Sequence, residues 1–427
     1  MSDAVRTAVR ACPVCGESLV EPLQEMAFAV PDNCALPDHY AIVWCGTCGF
    51  VFADVDACQR DYDRFYAKLS KYEAATASGG GEQPLDRARL DGLAAYLAER
   101  FGDRDAPLLD AGCGSGGLLV ALRDVGFTDM TGLDPSSGCA DSVRRGGFGA
   151  AVGGILPGTL VSEAGADAMA VAVGDAPEFA GRFAYVTLSH VLEHLYDLHD
   201  GLANVVSWLR PGGLVYIEVP DAGRYNEHYV VPDYYFDLEH INHFDEGSLR
   251  NLAAGVGLDV VDVVEKSIPV SSTLAYPAIG MVCRATASAA GPAGVAPASL
   301  TRTRAARDSV VEYLRMSRDD PAWAPLDALA ASGERVAVWG AGSLAQRLMT
   351  GGPLSRCAIE AFVDNDAKKQ GSTLAGVPVH APRWLRGFDG PVVVVAAVKG
   401  DEVVAQIRAM GLPNRVVIAA GGSVRAG

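Results

Sequence analysis

The stretch "APLLDAGCGSGGLLVALRDVGF" (106–127) constrains the fold of this chain more than any other. An apolar run ends on Asp110, then Gly112, Gly114 and Gly116 follow at alternate positions, and a helix-periodic run begins at once. Glycines in that spacing let the backbone take angles closed to other residues, and let another group come close to it. A strand that turns into a helix over so few residues reads as half of a βαβ unit. Further strand-like runs, "MTGLDPS", "FAYVTLS" and "GGLVYIEVP", alternate with helical segments. That alternation predicts a parallel sheet covered by helices on both faces, the α/β class. A second strand, Gly-rich turn and helix starts at "ERVAVWGAGSLAQRLM" (334–349) and continues through "IEAFVDND" and "PVVVVAAV".

With 427 residues the chain is expected to hold two or three domains. Residues 1–70 are Cys-rich, with short β-like runs such as "HYAIVWC" and "FVFADV". The flexible composition of "ATASGGGEQP" marks a hinge, and residues 71–285 carry the first α/β unit. The low-complexity "TASAAGPAGVAPAS" (286–299) reads as a linker. Residues 300–427 carry the second α/β unit, and both units are expected to be Rossmann-like. The net charge of −17 argues against a grip on nucleic acid. No apolar run approaches the roughly 18–20 residues of a membrane span. The N-terminus has no apolar secretory stretch, so a cytoplasmic protein without membrane partners is expected.

Four of the ten cysteines fall in two knuckles, Cys12-Pro-Val-Cys15-Gly and Cys45-Gly-Thr-Cys48-Gly. Two such turns, each followed by a glycine, bring four thiolates to one tetrahedral point, the pattern of a closed structural zinc site. Neither pair opens a helix after a strand, which counts against a redox couple. Cys34, His39 and Cys58 are read as ordinary side chains.

A G-x-G-x-G loop by itself suits a nicotinamide dinucleotide as well as other cofactors. Here Asp110 precedes the first glycine, and a second acid, Asp134, ends the next strand in "TGLDPS". This D-x-G-x-G-x-G form resembles the S-adenosylmethionine (SAM) loop of class I methyltransferases, and "WLRPGGLVYIEVP" is similar to that fold's helix–PGG–strand signature. The resemblance implies that Asp110, Gly112, Gly114 and Gly116 pass close to SAM, with Asp134 on the ribose hydroxyls. His190-Val-Leu-Glu193-His194 matches the metalloprotease pattern H-x-x-E-H, with two His expected one helical turn apart. Its place directly after "FAYVTLS", with no evident third ligand, favours the methyltransferase resemblance, in which such a run follows the fourth strand. His190 is then expected to line the cofactor pocket and His194 to point toward the substrate.

Just past the PGG strand comes "YYFDLEHINHF" (234–244), a mixture of aromatic, acidic and imidazole groups that suits a pocket wall. The order of four cysteines, SAM unit, this stretch and a second Rossmann-like unit resembles the three-domain sugar C-methyltransferases. That family's fold is a class I SAM methyltransferase domain with a small N-terminal zinc-binding domain and a C-terminal Rossmann-like α/β domain. The resemblance implies a nucleotide-linked keto-deoxysugar as substrate, held between the middle and C-terminal domains. It also implies His240 as base, Glu239 as its supporting acid and His194 as a further catalytic group, while Tyr234, Tyr235 and Phe236 are expected to pack on the ligand. The family's Tyr two residues before the Glu is Asp237 here, and the C-terminal turn reads "GAGSLAQRL". O-methylation of a sugar or other small natural-product intermediate therefore stays open. A rival from another class is an oxidoreductase with NAD at Gly340, Gly342 and Asp364, although Ala345 takes the place of the third glycine. A non-catalytic zinc-ribbon binding protein is a third reading, against which the intact SAM loop counts.

Overall fold

The computed structural model describes residues 5–30, 34–66, 79–156, 179–271, 274–286, 299–396 and 400–419. The expected linker and the boundary at 70 lie outside these residues almost entirely. The described chain forms three sheets.

The first sheet is antiparallel and begins with β1 (Arg6–Thr7), β2 (Leu19–Ala27), β3 (His39–Trp44) and β4 (Val51–Asp54). Both cysteine knuckles close in the same way. The Gly16 N–H donates to the Cys12 carbonyl at 2.8 Å, and the Gly49 N–H to the Cys45 carbonyl at 2.9 Å. Gly49 sits at φ +83°, where a Cβ would lie 2.6 Å from the Thr303 carbonyl, so the knuckle is pressed against a distant segment. A fifth strand, Asn242–His243, pairs with β4 in the register Asn242↔Phe52 and His243↔Val51. The stretch 234–244 is thus anchored to the N-terminal sheet, and its position depends on two parts of the chain far apart in sequence.

The second sheet contains β5 (Leu108–Ala111), β6 (Met130–Asp134), β7 (Gly149–Val152), β8 (Phe183–Ser189) and β9 (Leu209–Pro220). After β10 (Asn242–His243) in the first sheet come β11 (Leu258–Pro269) and β12 (Ala275–Ala285). The spatial order is β11-β12-β9-β8-β5-β6-β7, parallel from β9 to β7 and antiparallel at β11 and β12. Every residue of β5 and β6 is buried, as a sheet covered on both faces requires. Each fully buried Leu there contributes about 1.5–3 kcal/mol relative to its exposed state. The helix Gly117–Asp124 starts at Gly116 directly after the glycine turn, in agreement with the expected strand–turn–helix.

The third sheet comprises β13 (Arg335–Trp339), β14 (Ala358–Val363), β15 (Thr373–Leu374), β16 (Val377–His380), β17 (Val392–Val394) and β18 (Val416–Ile418). Its order is β15-β16-β14-β13-β17-β18, parallel except for the β15–β16 pair. Its apolar core includes Val336, Leu344 and Phe362, and it extends to Val230 and Val231 from the segment before 234. Tyr234 and Val270 pack against this core as well. No helix among the described residues is long and apolar enough to cross a membrane.

Candidate active site

A cavity of about 750 Å³ opens where β5, β6 and β8 end. Ligands of parallel sheets bind at this edge, because the loops there carry no strand pairing of their own. Gly112 and Gly114 on its wall have φ of +79° and +52°, whereas Gly116, at φ +92°, is not on the wall and caps the helix that follows. A Cβ at Gly112 would come within 2.5 Å of Val191 Cγ2, so glycine keeps the loop close to the chain after β8. Asp134 accepts the Gly114 N–H on Oδ2 and the Ser136 N–H on Oδ1, both at 2.9 Å. It therefore fixes the loop as well as presenting a carboxylate at the cavity wall. Asp110 is buried and accepts the Thr187 hydroxyl at 2.6 Å. Burial pushes its carboxyl up to about 6, with the Thr187 hydrogen bond opposing.

The expected helix over the histidine motif is instead a 3-10 turn, Leu192–His194, entered through His190 at φ +59°. A left-handed residue cannot continue a helix, and the His190 N–H bonds the Glu218 carbonyl at 2.8 Å. His190 Nδ1 lies 2.8 Å from Glu193 Oε1, and Nε2 lies 3.2 Å from the Tyr276 hydroxyl and 3.4 Å from Glu218 Oε1. Burial opposes charge on His190, but Glu193 and Glu218 outweigh it and raise the imidazole to about 9. Burial likewise opposes the Glu218 charge, yet His190, Lys266 and Arg89 hold that carboxyl well below its usual range. Lys266 Nζ is 2.5 Å from Glu218 Oε2, and Arg89 joins Glu218 to Asp86.

His194 and His240 meet edge to face, with ring centroids 4.7 Å apart. Ligand atoms of Glu193, His194 and His240 all lie within 4.8 Å of one another, although no third group was evident beside the histidine motif in the sequence. His194 Nδ1 also lies 2.8 Å from the Tyr66 hydroxyl and 3.2 Å from the Glu239 carbonyl. Asp237 takes the backbone N–H groups of Glu239 and His240 on one oxygen, a turn that sets the direction of the His240 ring. The cavity wall includes Glu193, His194, Asp237 and His240 but not Glu239, which is buried behind it. Tyr234 and Tyr235 line the cavity. Phe236 does not: it is fully buried, packed on His243 and Tyr225, because the turn at Asp237 rotates it into the core. His243 is buried too, and desolvation drives its imidazole down to about 3, so it stays neutral in the fold.

Sequence reading missed Glu193, Tyr66 and Arg89 as cavity residues. Glu193 was in view within the motif, but only folding shows that its carboxylate turns toward the histidines. At the other site, Sγ atoms of Cys12 and Cys48, and of Cys15 and Cys45, lie 3.5 Å apart. That is too long for a disulfide and near the roughly 3.8 Å edge of a tetrahedron with 2.3 Å metal–sulfur bonds.

A methyltransferase-domain family matches residues 85–263, the segment that carries the Gly loop and the histidine motif. A C-methyltransferase, NovU of Streptomyces niveus, is 27% identical over 310 residues, 69% of this chain and 67% of the relative. A ubiquinone biosynthesis O-methyltransferase of Marinobacter nauticus is 26% identical over 159 residues, 37% of this chain, which spans 61% of that relative. The protein is a SAM-dependent methyltransferase. Among solved structures, a Burkholderia thailandensis N1-methyltransferase with bound S-adenosylhomocysteine is 20% identical, covering 56% of this chain and 96% of its own, with a TM-score of 0.38. The residues of the methyltransferase suit its cofactor. A Cβ-free loop borders the cavity, a carboxylate stands at the second strand end, and the volume falls in the roughly 300–1,000 Å³ range of ligand pockets.

Proposed function

We propose that this methyltransferase transfers its methyl group to the carbon next to the ketone of a nucleotide-linked deoxysugar, with His240 as the base. The observation that carries the reading is one cavity walled both by the Gly112–Gly114 turn and by the His194–His240 pair. SAM, when bound, supplies an electrophilic methyl group on a sulfonium. Everything else falls to the chain. A carbon beside a ketone becomes nucleophilic only when a base takes its proton, and imidazole does this near neutral pH. Tyr234 and Tyr235 give the cavity an aromatic wall against which a sugar ring can lie. Asp134 and the loop hold the cofactor, and the enclosed site orients the two reactants.

The chain is read as units 1–70, 71–285 and 300–427 joined by 286–299, with zinc at Cys12, Cys15, Cys45 and Cys48. The third, Rossmann-like unit shapes the sugar-nucleotide side of the cleft through Tyr234 and Val270, which lie on the cavity wall and pack on that unit's core. Methylation of an oxygen is the second reading, favoured by the likeness to the Marinobacter O-methyltransferase. A hydroxyl nucleophile would use the same base.

Incubation with methyl-labelled SAM and a thymidine-diphosphate keto-deoxyhexose tests both. Carbon methylation, with S-adenosylhomocysteine formed in step, is the expected product. An oxygen-linked methyl group supports the second reading, and no labelled sugar product overturns the substrate assignment. Elemental analysis should find about one zinc per chain.

A further inference from the structure

We propose that Glu193 is the positioning carboxylate of the histidine pair, the group that stabilises the charge gained when His194–His240 accepts a proton. The resemblance gave this role to Glu239. The inference rests on the base assignment above, but its test needs no sugar substrate, so the two can fail separately.

The Glu193 side chain is 1% exposed. Its Oε1 is engaged by His190, while its Oε2 is buried without a hydrogen-bond partner among the described residues. An unsatisfied oxygen on a buried carboxylate is costly, and such groups usually gain a partner at some stage of their function. The two imidazoles within 4.8 Å are the groups able to provide one. In the resting protein His190 carries the balancing positive charge. When the pair takes a proton from the substrate, the substrate keeps the electron pair and a second positive charge appears beside the Glu193 carboxylate. Glu193 gains no proton; it lowers the energy of the imidazolium in a site where burial would otherwise penalise it.

Among the described residues, the following charged and titratable neighbours do not replace it. Tyr225 is buried and Tyr276 half-buried at the cavity wall, and desolvation raises both hydroxyls well above their usual range. His243 is held neutral by burial. Glu239, next to His240 in sequence, is buried and is not part of the cavity wall, and Asp237, three residues before His240, has one oxygen turned to the backbone N–H groups of residues 239 and 240. Glu218 lies on the far side of His190 and is satisfied by Lys266, Arg89 and Tyr216.

Diethyl pyrocarbonate acylates neutral imidazole only, so the pH at which peptides containing His194 and His240 become labelled reads the charge on the pair. Protein loaded with S-adenosylhomocysteine is to be compared with Glu193→Gln and Glu193→Asp by peptide mass spectrometry across the range in which histidine titrates. The labelling midpoint is expected to move to lower pH by about one unit in Glu193→Gln, since the nearby negative charge is lost. Glu193→Asp, which keeps the charge on a shorter arm, should lie between the two and covers the case in which the Gln variant fails to fold. An unchanged midpoint in a variant that still binds S-adenosylhomocysteine overturns the proposal. So does protection of both histidines by one equivalent of zinc in the wild type, because the trio would then be a cation site.

Discussion

The methyltransferase contains two Gly-rich turns that look alike and face different things. In each, a buried strand runs into a glycine turn and a helix, and an acid at the next strand end accepts a loop N–H at 2.9 Å. Gly114 donates to Asp134 in one case and Ala341 to Asp364 in the other. The first loop borders the cavity, opposite His194 and His240. The second is closed by its own fold. A Cβ on Gly340 would lie 2.2 Å from the Val395 carbonyl, and Asp364 also holds Lys369 Nζ at 3.2 Å. The acid-to-loop hydrogen bond is therefore a way of folding a tight turn. Ligand chemistry is marked by what stands across from the loop.

The largest expected effect lies across from the first loop. His240→Asn should retain the fold and the SAM affinity while losing a factor of roughly 10² to 10⁴ in turnover, the contribution of a positioned general base. Lys369→Met, which removes the cation beside the second loop, should leave turnover unchanged. Comparable losses in both would make the second loop part of the active site and dissolve the contrast. Next in size is Asp134, proposed above to hold the cofactor. Asp134→Ala should weaken SAM binding by about 1.5–3 kcal/mol in calorimetry, the scale of hydrogen bonds to a charged group. An unchanged affinity would leave Asp134 as a loop brace alone, like Asp364.

This contrast shows what was readable before folding. The strand–turn–helix at 106–127 and the parallel sheet were legible because they are local: period, glycine spacing and an acid at a strand end all sit within one segment. The histidine assembly was only half legible. His194 and His240 are 46 positions apart, and they meet because β10 pairs with β4 of the N-terminal sheet, a register that no local pattern announces. Tyr66 was missed for this reason too, since it reaches His194 from the end of a helix in the N-terminal segment. The 3-10 turn at 192–194 was missed because nothing in "HVLEH" signals that His190 adopts a left-handed backbone.

Smaller effects sharpen the second loop's side. Gly340→Ala should cost stability on the order of 1–3 kcal/mol, because both the positive φ and the backbone carbonyl at 2.2 Å resist a side chain. SAM affinity should not move, and chemical denaturation paired with calorimetry separates the two quantities. If Gly340→Ala reduced SAM affinity at unchanged stability, the second loop would be coupled to the cofactor site.

The smallest effect belongs to Asp364→Asn. Asp364 accepts the Ala341 N–H on Oδ2 and the Asp366 N–H on Oδ1, besides facing Lys369. An amide can keep only one of these backbone bonds, because its NH₂ group then points at the other donor. Its lost charge matters little, since Lys369 is more than a third exposed and solvent screens the pair. Stability should fall by about 1 kcal/mol, one ordinary hydrogen bond, with SAM affinity and turnover at their wild-type values. The same variant tests the oxidoreductase reading directly. If wild-type protein bound NAD and Asp364→Asn lost that affinity, the acid would be holding a ribose, and the two loops would be two cofactor sites.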